Sequence, residues 1–254
     1  MTLATTLRAL HVPGAPVVLP NAWDAASARM VEAAGFPAVA TSSFATATIL
    51  GYDDGEHVPV EDVLAATTRI AQSIAVPLTV DFERGYRLDP AELVERFTAT
   101  GAVGLNLEDS DPATGTMIDP AEQADFLAAI RAEAGTELVI NARIDAFVRR
   151  AGSPEEQLRT ALDRAARYVT AGADCVYPIG VGDLDLIGTL TKEIPGPVNV
   201  GYGQGANSLA DYTAAGVARI SFGPMLQRHL YSKLSDSMLP ALVADRNPFS
   251  DDAP

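Results

Sequence analysis

Apolar and polar positions along this chain follow a repeating order. Five times, an Ala-rich stretch with helical spacing stops at a glycine and an apolar run of strand length follows. These phrases are EAAGFPAVATSS (32–43), TATGAVGLNLEDS (98–110), AEAGTELVINARID (132–145), VTAGADCVYPIG (169–180) and TAAGVARISFGP (213–224). Gly35, Gly101, Gly135, Gly172 and Gly216 are placed to take the left-handed conformation that closes a helix. Three more apolar runs follow a proline: APVVLPNAWD (15–24), VPLTVDFE (76–83) and GPVNVGYG (196–203). Between the runs, amphipathic spacing predicts helices near 24–34, 60–74, 90–100, 120–134, 154–171, 183–193, 207–215 and 224–234. Asp24, Asp89, Asp119 and Ser153 are suited to cap helix starts, the last three with proline next.

Strands that alternate with helices imply a parallel sheet, and near-continuous apolar strands imply burial on both faces. Eight such units in 254 residues predict an α/β fold, a single (β/α)₈ TIM barrel spanning 1–254, with an acidic tail at about 245–254. A doubly wound open sheet is the alternative. No linker or low-complexity segment interrupts the pattern.

In the barrel, chemistry belongs at the C-terminal ends of the strands. Those ends carry Asn21 and Asp24; Thr41, Ser42 and Ser43; Asp81 and Glu83; Asn106, Glu108 and Asp109; Asn141, Arg143 and Asp145; and Asn199 with Tyr202. Asp81 and Glu83 in LTVDFERGY are one residue apart, which in a strand puts both on one face. Glu108 lies on the neighbouring strand, and the acidic loop GYDDGE (51–56) arrives from the strand before. Grouped carboxylates repel unless a cation or protons neutralise them. Hard oxygen ligands without a His or Cys cluster suit Mg²⁺ or Mn²⁺. Salt bridges to Arg84, Arg87 and Arg143 are the other way to settle them. Arg143 is suited to grip a carboxylate or phosphate bidentately, or else to neutralise Asp145 and the acidic rim.

Charge and composition narrow the partners. A net charge of −15 argues against nucleic acid and anionic membranes, which want a basic face. The apolar runs are too short to span a bilayer, and the N-terminus does not read as a secretory signal. The one cysteine, Cys175, excludes an internal disulfide and fits a reducing cytoplasm. It lies within an apolar strand and reads as core.

Four segments, taken together and in order, carry a family resemblance: LGYDDGE, VDFERGY, LNLEDS and NARIDAF. With them, nearly the whole chain resembles the isocitrate lyase/phosphoenolpyruvate mutase superfamily. The resemblance implies a Mg²⁺-dependent lyase acting on small 2-oxo or 2-hydroxy acids. Such an enzyme breaks a C–C bond in a dicarboxylate by retro-aldol, retro-Claisen or decarboxylation chemistry, through a metal-stabilised enolate. Asp81 would be the most direct metal ligand, helped by Asp54, Glu83 and Glu108. Ser42, the backbone at Ser43 and Arg143 would hold a substrate carboxylate. Homotetramers built by exchanging the last barrel helix are also implied, a dimer being the smaller possibility.

The chain departs from that pattern. The loop DSDPATGTMIDP (109–120) lacks the Cys, Lys and His of the lyase gating loop, so authentic isocitrate lyase activity is not expected. It also lacks the Lys-Thr-Asn motif of phosphonate-processing relatives, although a phosphonopyruvate hydrolase or mutase stays open. Glu83 replaces a more usual Asp, and Ile179 stands near where several lyases carry Glu. The missing loop groups also leave open a 2-oxo-acid-binding protein with little or no turnover. Thr114-Gly115-Thr116 is a candidate lid, GYGQGA (201–206) a phosphate cup or a plain turn, and His57 a loop residue within reach of the rim. Trp23 and Asn199 are candidate pocket residues, and the proton donor is not visible.

Overall fold

The computed structural model describes residues 1–150 and 152–249. In chain order the elements are α1 (Leu3–Ala9), β1 (Val17–Leu19), β2 (Asn21–Ala22), α2 (Ala25–Ala33), β3 (Val39–Thr41), α3 (Ser43–Leu50), α4 (Val60–Ala71) and β4 (Leu78–Asp81). There follow α5 (Pro90–Thr98), β5 (Gly104–Glu108), α6 (Pro120–Ala134), β6 (Val139–Ile144), α7 (Ala146–Arg149), α8 (Pro154–Thr170) and β7 (Cys175–Pro178). The chain continues through α9 (Leu184–Glu193), β8 (Asn199–Gly201), α10 (Leu209–Ala214), β9 (Arg219–Ser221) and α11 (Met225–Lys233). A π-helical turn (Leu234–Met238) and α12 (Leu239–Val243) come last.

All strand pairs are parallel. β2 to β7 form one run in sequence order, and β1, β9 and β8 form another. Pro20 has no N–H to give a ladder, so the first strand is split there: its first half pairs with β9 and its second with β3. A parallel bridge between Val176 and Val198 joins β7 to β8 and closes the ring. This is the predicted eight-position barrel. The five helix-closing glycines all have positive φ, from 53° to 101°. Asp24 and Ser153 form reciprocal caps with Ser27 and Glu156, and Asp119 accepts from Ala121 and Glu122. Asp89 makes no side-chain cap bond.

The helices α1, α3, α7 and α12 lie outside those that spacing predicts. They are short, and α3 follows directly on the end of β3. Ser42 is its N-cap. The tail residues 250–254 lie outside the described residues.

The barrel interior is layered. At the bottom, Leu7 of α1 packs with Val17, Leu19, Ala38, Ala40 and Val139. Gly104 makes room for it, since a Cβ there would lie 2.6 Å from Leu7 Cδ2 and 2.9 Å from Thr79 Oγ1. Above that plug the interior turns polar, with Asn106, Asn141, Asn199 and Arg219 all buried. The apolar helices pack outside, around Phe82, Leu93, Phe97, Leu127 and Ile140.

Candidate active site

Asp81 is the last residue of β4. Its Oδ2 accepts hydrogen bonds from the backbone N–H and the hydroxyl of Ser43, at 3.0 and 2.9 Å. Its own N–H donates to Thr41 Oγ1. The other oxygen, Oδ1, is buried and has no hydrogen-bond partner among the described residues.

Glu83 does not share a strand face with Asp81, because β4 stops at Asp81 and Glu83 turns left-handed with φ 48°. Its carboxylate accepts from the Glu56 N–H at 2.6 Å and the Tyr86 hydroxyl at 2.8 Å. Glu56 returns the contact by accepting from the N–H groups of Arg84 and Tyr86. This exchange ties the acidic loop to the turn after β4. Burial pushes Glu83 up to about 7, with Asp54 and Asp81 adding to it against the Tyr86 hydrogen bond.

Glu108 is buried at the end of β5, and its Oε2 lies 2.6 Å from Arg143 Nη1. Arg143 Nε also donates to Asp145 Oδ1 at 2.8 Å. Burial works to raise Glu108, with Asp145, Asp81 and Glu83 reinforcing it, against the pull of Arg143, which favours the carboxylate. Burial works against the charge on Arg143, but Glu108, Asp145 and Asp81 outweigh it and hold the guanidinium protonated. Asp145 is placed in turn by Asp109, which accepts from its N–H and from Arg164 and Tyr168.

A cavity of about 240 Å³ opens between these strand ends. Asp54, Asp81, Arg143, Ser42, Ser43 and Tyr177 stand in its wall, with Asn21, Asn106 and Ser221. Phe44, Ile179 and Pro224 supply its apolar side. Asp54, not Asp53, is the loop acid that turns in. Desolvation and the Asp81 charge raise its carboxyl, while Ser43 and Arg143 work to lower it. His57 braces that loop through the Asp54 carbonyl at 2.8 Å and does not enter the wall.

The cavity wall does not include Glu83, Glu108, Trp23 or Asn199. Trp23 donates its backbone N–H to Ser27 at the start of α2, and Asn199 is buried against Ser221. The 110–117 loop folds on itself through a Ser110–Met117 bridge and stays away from the wall. Tyr177 and Ser221 are not marked by the polar residues at the apparent strand ends. Their signal is parity: Tyr177 is level with Arg143 in the β6–β7 register.

Among the described residues, no three His, Cys, Asp or Glu side chains are arranged to hold a metal ion by themselves. The donors nonetheless suit a hard divalent ion that keeps several waters. They are hard oxygens, one of them the unpartnered Oδ1 of Asp81, with Asp54 beside it.

Comparison with known proteins places this geometry. The family model described as phosphoenolpyruvate phosphomutase matches residues 7–240. A solved structure from Burkholderia cenocepacia J2315, provisionally named a phosphonomutase, is 40% identical with a TM-score of 0.86, covering 95% of this chain and 98% of that one. The 2-methylisocitrate lyase of Salmonella typhimurium is 30% identical over 199 residues, 70% of this chain and 65% of the lyase. An oxaloacetate decarboxylase of Rhodopseudomonas palustris is 29% identical over 225 residues, 85% of this chain and 76% of that enzyme. The chain belongs to the phosphoenolpyruvate phosphomutase family, within the isocitrate lyase/PEP mutase superfamily.

Proposed function

We propose that this protein is a divalent-metal-dependent lyase that decarboxylates a small 2-oxo dicarboxylate of the oxaloacetate type. The observation that carries the proposal is the pairing of an unpartnered Asp81 oxygen with Arg143 in one small cavity. Asp81 would hold the ion directly and Asp54 through the loop. Glu83 and Glu108 support the site from behind, by tying down the loop and by orienting Arg143. A bound Mg²⁺ or Mn²⁺ supplies Lewis-acid stabilisation of negative charge at the 2-oxo group.

The chain's own residues do the rest. Arg143 grips a substrate carboxylate, and its orientation is fixed in advance by Glu108 and Asp145. Ser42 and Ser43 line the same space. Phe44, Ile179 and Pro224 form a dry wall that favours release of a carboxylate as uncharged CO₂. Decarboxylation is preferred to retro-aldol cleavage because the wall holds no Cys, His, Lys or Glu to deprotonate a substrate hydroxyl, its two Asp side chains would hold the ion, and its Tyr177 is a protonated phenol that can give a proton but not take one.

Assembly into dimers or tetramers through the last helices belongs to the same proposal. Leu230, Leu239, Leu242 and Val243 are all exposed there, and light scattering reads the state directly. No helix among the described residues is long and apolar enough to cross a membrane.

The test is release of CO₂ from oxaloacetate by the Mg²⁺-loaded protein, measured against the enzyme-free metal background. Release that EDTA abolishes supports the proposal. No release above background, or phosphate release from phosphonopyruvate instead, goes against it.

A further inference from the structure

Decarboxylation leaves a carbon that must be protonated, and neither the metal ligands nor the carboxylate clamp can supply the proton. A donor is needed only if the lyase function proposed above holds, and its assignment rests on that function. The titratable groups in the cavity wall are Asp54, Asp81, Arg143 and Tyr177. The two carboxylates would be taken up in holding the cation, and a guanidinium does not release its proton. Tyr177 is left.

Its position is built. Tyr177 is 9% exposed, on the inward side of β7 and level with Arg143. Its hydroxyl reaches over β8, where a Cβ at Gly201 would lie 2.9 Å from Oη. Only a residue without a side chain leaves the phenol that place, and the Ser221 hydroxyl interacts with it from β9.

Beneath it sits Arg219, 1% exposed in the barrel interior. Its Nη2 donates to Asn106 Oδ1 at 3.2 Å, while Nε and Nη1 have no hydrogen-bond partner among the described residues. None of the ion pairs among those residues includes Arg219. A buried guanidinium without a carboxylate is expensive to keep. Burial works to lower its pKa, and the groups whose negative charge would offset that are Cys175, Tyr177 and Asp81. Cys175 is fully buried at the level of Asn141 and outside the cavity wall.

We infer that Tyr177 is the proton donor to the carbon left by C–C cleavage, and that Arg219 is a positioning residue whose charge stabilises the phenolate formed. As CO₂ leaves, the electron pair of the broken C–C bond enters the new enolate. The Oη–H bond of Tyr177 then breaks, a C–H bond forms at that carbon, and the 2-oxo group is restored. The phenolate takes its proton back from solvent, so the net proton consumed comes from water. Burial pushes the phenol up to about 12 while Arg143 and Arg219 pull it down, which leaves it protonated and ready at neutral pH.

The experiment follows CO₂ and pyruvate separately during oxaloacetate turnover by the Mg²⁺-loaded protein. In the wild type the two appear together. Tyr177→Phe is expected to slow CO₂ release, and its pyruvate should lag behind the CO₂, because the enol escapes and tautomerises in solution. Arg219→Met should show the same lag and Arg219→Lys should shorten it. Gly201→Ala, which crowds the hydroxyl, should reproduce the lag if Tyr177→Phe fails to fold. Pyruvate and CO₂ appearing together in Tyr177→Phe, or in a folded Gly201→Ala that replaces it, overturns the inference while leaving the lyase function standing. A wild type that releases no CO₂ removes both.

Discussion

Arg143 Nη1 lies 2.6 Å from Glu108 Oε2, and the same guanidinium donates through Nε to Asp145 at 2.8 Å. The residue proposed to grip substrate is therefore held from behind by two carboxylates. Arg143→Lys loses the planar fork and both anchors. It should weaken oxalate binding in the presence of Mg²⁺ by roughly 100-fold. Glu108→Gln keeps the shape and loses the charge, and should weaken it by about 10-fold. Calorimetric titration of each variant checks the order. A Glu108→Gln protein that binds like the wild type would show that the pair does not orient the clamp.

The Ser43 hydroxyl and N–H both donate to Asp81 Oδ2, which turns Oδ1 free. Ser43→Ala removes one of these anchors. Loss of such a partner behind a metal ligand commonly lowers metal affinity about 10-fold or more. Titration with Mn²⁺, read by electron paramagnetic resonance, should show that loss with little change in thermal stability.

Gly104 has its Cβ position filled by Leu7 and Thr79. Gly104→Ala should destabilise the protein by about 1–3 kcal/mol through overpacking. Urea unfolding measures it. In a Leu7→Ala background, itself destabilised, the same Gly104→Ala change should cost less but still something, because Thr79 on the adjacent strand stays in the way.

His11 is buried within reach of the Arg219 charge, and its Nδ1–H donates to the Leu7 carbonyl at 2.8 Å. Desolvation, with the Arg219 charge next, lowers its pKa from 6.5 to about 4. Between those values the unfolded chain binds a proton that the native state does not. The stability this provides is complete above pH 6.5 and is lost as pH falls through 4, about 3 kcal/mol in all. His11→Asn should show a smaller loss of unfolding free energy between pH 7 and 4.5 than the wild type.

Much of the barrel was legible because its signals are local. A closing glycine, a capping Asp or Ser and an apolar run each depend on a few neighbours, and Gly35, Gly101, Gly172 and Gly216 behave as their positions imply. Asp81, Ser42, Ser43 and Arg143 stand in the cavity wall for a similar reason, since strand ends define the rim, whereas Asp54 lies on a loop and is marked only by the family resemblance. Glu83 departs from its expected face because alternation holds only while a strand lasts, and β4 ends two residues earlier. Glu108 has the chemistry of an ion ligand, but its partner is chosen by the register that sets it level with Arg143. Tyr177, Gly201 and Arg219 come from three strands that meet only in the closed barrel. No spacing along the chain marks them as a group.

The most direct test of the central claim is calorimetric titration of oxalate, a mimic of the cleaved 2-oxo acid, into the wild type with Mg²⁺, into the wild type with EDTA, and into Asp81→Ala with Mg²⁺. Binding is predicted in the first titration and none in the other two. Equal binding with and without the metal, or binding that survives Asp81→Ala, would contradict a metal-held site at Asp81.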